Sequence, residues 1–85
     1  MKLIRISAIW CTSCILTYSI WQDIQKEYPH FEYIEYDYDT DSDLFEQYQI
    51  GSILPVILVF DKNQEVTRII GEKTKTEIKE ILNQL

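Results

Sequence analysis

Glycine and proline occur only twice each in this chain, cysteine twice, and histidine once. With so few breakers there is no linker, repeat or low-complexity stretch, and the 85 residues are expected to form a single domain spanning 1–85. Basic side chains are scarce as well. Eight Lys and Arg stand against fourteen Asp and Glu, and the net charge of -6 repels nucleic-acid phosphates and anionic membrane surfaces. Long apolar runs are missing: the longest, Ile53 to Phe60, contains Pro55 and falls far short of the roughly 20 residues of a membrane helix. The N-terminus lacks the shape of a signal peptide, because Ser7, Thr12, Ser13 and Thr17 interrupt the apolar residues and no small-residue cleavage site follows. The chain therefore reads as a cytoplasmic monomer without nucleic-acid or membrane partners. A small secreted domain stapled by disulfides carries four or more scattered cysteines, whereas Cys11 and Cys14 are separated by two residues. Such a pair closes almost no loop and constrains the unfolded chain little, so its purpose is chemical.

What is present suffices for a core, with 46% of residues hydrophobic and 13% aromatic. Lys2 to Ile9 is an apolar, β-branched run suited to a strand buried on both faces. From Thr12 to Tyr28, Ile15, Tyr18, Trp21, Ile24 and Tyr28 recur at helical steps, and Pro29 ends the helix. Phe31 to Tyr38 alternates apolar residues with acids and predicts a second strand with one wetter face. Asp39 to Asp43 is a turn and helix start, and Leu44, Phe45 and Tyr48 predict a short helix ending near Gly51. Val56 to Phe60 and Glu65 to Ile70 form a hairpin around Asp61 to Asn63. Thr74 and Glu77 have capping-box spacing, and Ile78, Ile81, Leu82 and Leu85 form the stripe of a last helix. The order is β-α-β-α-β-β-α, an α/β class.

The cysteine pair falls where the first strand gives way to the first helix. Cys11 is expected at the helix N-terminus, where unpaired N–H groups point at its sulfur and favour the thiolate. A thiol with a lowered pKa is both a better-populated nucleophile and a better leaving group. Cys14, one turn later and in line with Tyr18 and Trp21, is expected to be the less exposed thiol and to resolve a mixed disulfide. Three other readings compete. The pair as two small buried core residues is one, and a permanent structural disulfide, which so short a loop rewards little, is another. Metal binding is the third, but a closed site wants four ligands and His30 lies about 20 Å or more along the helix. No Ser-His-Asp set, phosphate loop or carboxylate pair with a defined role accompanies them.

Trp10-Cys11-Thr12-Ser13-Cys14 resembles the active-site motif of the thioredoxin superfamily, a tryptophan followed by CxxC. Ile53-Leu54-Pro55-Val56-Ile57-Leu58-Val59-Phe60 resembles the segment in which that family opens its third core strand with a cis-proline. Asp61-Lys62-Asn63-Gln64-Glu65 is similar to the hairpin that follows, and Gly71 to the glycine ending the last strand. The likeness covers the chain in order and spacing. It implies a minimal thioredoxin fold with a four-stranded mixed sheet in the order 2-1-3-4, flanked by three helices. Pro55 would then be cis and face the cysteines, and Leu54 would offer backbone N–H and C=O groups to a substrate strand. The other reading of Pro55 is a strand-start proline.

The likeness also implies dithiol-disulfide exchange with protein substrates, a reductase that recycles the pair, and no bound cofactor or metal. A binding module or redox sensor on the same fold is the alternative. The short frame is similar to glutaredoxins, but Ile70-Gly71-Glu72-Lys73 lacks their Gly-Gly and Asp pattern, which argues against glutathione. Where the family has a buried acid six residues before the first cysteine, this chain has Arg5, and the family's neighbouring lysine falls at Glu35. Either the pair is kept with its charges exchanged, or Glu35 and Asp37 are edge charges that block aggregation. Trp10 either contacts partners or packs at a strand end.

Overall fold

The computed structural model describes residues 1–41 and 43–85. Ser42, within the expected turn, and the side chains of Leu44 and Phe45, expected to anchor the short helix, lie outside the described residues. In chain order the elements are β1 (Lys2–Ser7), α1 (Thr12–Leu16), α2 (Tyr18–Glu27), β2 (Glu32–Asp37), α3 (Leu44–Tyr48), β3 (Val56–Asp61), β4 (Gln64–Ile70) and α4 (Lys75–Asn83). The strands form one sheet in the order β2-β1-β3-β4, with β1 parallel to β2 and antiparallel to β3, and β3 antiparallel to β4. The strand order is the one that the family resemblance implies.

β1 is central and buried on both faces, and its alternation divides the core. Leu3 joins Ile57, Val59 and Ile69 beneath Trp21 and Ile24 of α2 and Ile78 and Leu82 of α4. Ile4 and Ile6 join Val56 and Leu58 on the opposite face, where Tyr48 and Ile50 pack from α3 and its exit. Lys75 and Lys79 both reach Glu27, at 2.6 and 2.7 Å, and tie α4 to the end of α2. Lys62 and Asn63 both have positive φ, 53° and 67°, as a two-residue hairpin loop requires. Thr74 caps α4 by accepting from the Glu77 N–H at 3.2 Å.

Four expectations are corrected. β1 stops at Ser7 rather than Ile9, because the Cys11 N–H donates to the Ala8 carbonyl at 3.1 Å and closes a turn through Ile9 and Trp10. The helix expected without interruption from Thr12 to Tyr28 breaks at Thr17 (φ -95°, ψ 3°), so among the described residues four helical segments flank the sheet where three were expected. Its inward stripe is Cys14, Thr17, Trp21 and Ile24, while Ile15 and Tyr18, expected to face inward, are exposed. The Thr17 hydroxyl makes the difference. It donates back to the Ser13 carbonyl at 2.6 Å, which satisfies the buried oxygen and bends the helix. Leu85 likewise lies past the end of α4 and is exposed, outside the stripe expected of it.

Candidate active site

The turn at the end of β1 delivers Cys11 to the N-cap of α1, with extended φ and ψ of -88° and 110°. Its sulfur accepts a hydrogen bond from the Cys14 N–H at 3.2 Å, the position a capping oxygen normally fills. An amide aimed at sulfur binds more strongly when the sulfur carries charge. Both thiols are free, and Cys14 is the more enclosed, at 3% exposed against 8% for Cys11. Burial first, then the hydrogen bond with Cys11, pushes the Cys14 thiol up from 9.0 to about 11, and the nearby Arg5 charge works in the opposite direction.

The second wall of the site comes from the loop before β3. The Leu54-Pro55 peptide bond is cis. Leu54 shares an apolar cluster with Ala8, Cys11 and Cys14, and Pro55 packs near Thr17 and Trp21. The Pro55 carbonyl accepts from the Gly71 N–H at 2.8 Å, and Gly71 adopts a left-handed φ of 83° to make that contact. The structure thus brings together Cys11, Cys14, Leu54, Pro55 and Gly71 from three separated segments. Among the described residues, neither the N–H nor the C=O of Leu54 takes a partner within the chain.

Trp10 stands at the mouth, 58% exposed, with its ring edge-on to Tyr38 at 5.8 Å and its Nε1 donating to Asp39 Oδ2 at 2.7 Å. Sequence reasoning missed Asp39, because nothing local marks an acid as the tether of a tryptophan 29 positions earlier. It also missed Thr17, whose polarity concealed its place in the core.

Arg5 and Glu35 are register neighbours on β1 and β2. Arg5 is only 3% exposed; its Nη1 donates to Glu35 Oε2 at 3.1 Å and its Nη2 to the Cys14 carbonyl at 2.8 Å. The rings of Tyr18 and Trp21 lie 5.8 and 6.0 Å from its guanidinium carbon. Glu35 is thus ion-paired to Arg5, and it also stands on the edge strand β2 with its side chain 43% exposed. Asp37 is engaged as well, accepting from the N–H groups of Asp39 and Thr40. An open cavity of about 650 Å³ adjoins Arg5, Cys14, Tyr18 and Glu35. Among the described residues no three His, Cys, Asp or Glu side chains cluster as a metal site would require, and no helix is long and apolar enough to cross a membrane.

Comparison with known proteins accords with this geometry. The family model described as thioredoxin matches residues 1–84. A thioredoxin of Mycoplasma genitalium is 34% identical over 76 residues, covering 89% of this chain and 74% of the relative. A thioredoxin of Chlamydia pneumoniae is 29% identical over 84 residues, covering 99% and 81%. Among solved structures, thioredoxin NaTrxh from Nicotiana alata superposes with a TM-score of 0.89 at 22% identity, covering 98% of this chain and 70% of that one. Mitochondrial thioredoxin 3 from Saccharomyces cerevisiae, in its oxidised form, gives 0.88 at 20% identity, covering 99% and 77%. With a cysteine pair capping the first helix beside a cis-proline loop, and a family match across nearly its whole length, this chain belongs to the thioredoxin family of thiol-disulfide oxidoreductases.

Proposed function

We propose that Cys11 is the attacking thiolate and Cys14 the resolving thiol in the reduction of disulfides in protein substrates. The Cys11 sulfur attacks one sulfur of the substrate disulfide, forming a mixed disulfide and expelling the other substrate sulfur as a thiolate. Cys14 then loses its proton to water and attacks Cys11 Sγ. The second substrate sulfur leaves with the electron pair and takes a proton from solvent. Two electrons pass to the substrate, and a reductase returns them to the Cys11-Cys14 disulfide.

The observation that carries this assignment is the asymmetry of the pair. One sulfur caps a helix and receives an amide hydrogen bond at 3.2 Å, while the other is the more enclosed, 3% exposed against 8%. A poised nucleophile and a resolver held in reserve are what sequential exchange needs. The N–H and C=O of Leu54, without a partner among the described residues, lie near the cysteines and next to Pro55 and suit an extended substrate segment. Gly71 borders that segment through its N–H bond to the Pro55 carbonyl, and exposed Trp10, Ile9 and Ile53 offer apolar contact. A cytoplasmic setting, where thiols are held reduced, suits this direction of electron flow.

The test is reduction of insulin with a dithiol donor. The protein is expected to accelerate precipitation of the insulin chains, and Cys11→Ser to abolish the effect. Cys14→Ser is expected to accumulate mixed disulfides on Cys11. Absence of both turnover and trapping would leave only a binding module or redox sensor.

A further inference from the structure

We propose that Arg5 is a positioning residue for the resolving step, its guanidinium held by Glu35 so that it fixes the backbone of Cys14 against the sheet and sets the angle from which that sulfur reaches Cys11. The proposal rests on the assignment of Cys14 as resolver. A buried arginine is costly unless its charge is paired and its donors are used. Here one arm of the fork goes to Glu35 at 3.1 Å and the other to the Cys14 carbonyl at 2.8 Å. That carbonyl lies just before the break at Thr17, where the helix departs from regular geometry at φ -95° and ψ 3°. The rings of Tyr18 and Trp21 at 5.8 and 6.0 Å hold the guanidinium from the helix side. Strand pairing fixes the base of the side chain, since Arg5 and Glu35 are in register.

The side chain thus connects the edge strand to the one peptide unit that carries the resolving thiol. A planar fork with fixed donor directions can do this, whereas the point charge of lysine cannot serve both acceptors in the same geometry. Displacement at a disulfide demands alignment of three sulfurs, so a small rotation of the Cys14 backbone acts chiefly on that step, and on the first only through the Cys14 N–H that donates to Cys11 Sγ. The Arg5 charge also favours the Cys14 thiolate, in the same direction as its geometric effect.

Reaction of the reduced protein with excess dithiobis(nitrobenzoate) separates the two steps. In the first, Cys11 displaces one nitrothiobenzoate at a rate that rises with probe concentration. In the second, Cys14 gives its proton to water, attacks Cys11 Sγ and releases the other nitrothiobenzoate, independently of probe concentration. The first step is the internal reference. Arg5→Met is expected to slow the second by about tenfold or more relative to the first, and Arg5→Lys to restore only a minor part of that loss. Glu35→Gln, a change at a half-exposed side chain, is expected to slow the second step by about threefold and carries the test if Arg5→Met does not fold. A second step within about twofold of the parent in the folded variants overturns the role of Arg5 and leaves thiol exchange standing. Absence of the first step in the parent protein overturns exchange itself, and the proposal with it.

Discussion

The indole of Trp10 is tethered to Asp39 by a 2.7 Å hydrogen bond that joins the turn before the cysteine pair to the loop after β2. An exposed tryptophan left free would sample several rotamers, and the carboxylate restricts it to one beside Tyr38. Because the bond is exposed, its contribution to stability is small, whereas its contribution to the shape of the site mouth is direct. Asp39→Ala is expected to lower stability by less than about 1 kcal/mol in urea denaturation. It should shift the Trp10 fluorescence and weaken insulin reduction by about two- to fivefold through KM rather than kcat. Asp39→Asn, which retains an acceptor oxygen, is expected to recover most of the loss. Unchanged kinetics in Asp39→Ala would remove Trp10 orientation from the account of substrate contact.

The Cys14 thiol gives the reduced protein a specific response to alkali. Its folded-state value is raised from 9.0 to about 11, chiefly by burial, so the fold favours the protonated form. That contribution is fully present below about 9 and is lost as the pH climbs toward about 11. The loss is expected to be on the order of 1 to 2 kcal/mol, allowing for water that reaches the adjoining cavity. Urea midpoints of the reduced protein measured across this window should fall more steeply than those of Cys14→Ser. Tyr33, raised by burial to about 12, adds a similar decline at higher pH in both proteins. Parallel curves for the two proteins would contradict the buried, neutral state of Cys14.

Gly71 is held at φ 83° by its bond to the Pro55 carbonyl. An added Cβ would meet Ile53 Cγ2 at 3.5 Å, an ordinary contact, so the cost of substitution lies in the backbone and not in crowding. Gly71→Ala is expected to destabilise the protein by about 1 to 2 kcal/mol, from the left-handed conformation forced on a residue with a side chain. Denaturation with a linear dependence on urea would measure it. If the alanine variant keeps full stability, the strand end has moved to a right-handed turn and the Pro55 contact should be absent.

Much of this protein was legible from local patterns. The apolar, β-branched run of β1, the helical recurrence of Trp21 and Ile24, the hairpin over Asp61 to Asn63 and the capping pair Thr74 and Glu77 all depend on residues close to one another in the chain. The placement of Cys11 and Cys14 at a strand-to-helix junction was legible in the same way, because it follows from where one periodicity stops and another starts. Family likeness extended this to the sheet order and to the cis bond before Pro55, which no periodicity encodes.

What the sequence by itself determined, then, is the strands and helices apart from the break at Thr17, their order and the chemistry of the cysteine pair. The tertiary structure alone decided which side chains complete the site. Thr17 displaced Ile15 and Tyr18 from the inward stripe because the Ser13 carbonyl satisfies its hydroxyl. Asp39 reached Trp10 across 29 positions of chain, while the contact of Glu35 with Arg5 across 30 was one of the two alternatives that the family likeness had offered. Arg5 turned from a charge on a buried strand into the partner of the Cys14 carbonyl. A hydrogen bond between distant residues leaves no periodic trace, since its energy depends on where the folded chain places donor and acceptor, and only the assembled sheet and helices specify that placement.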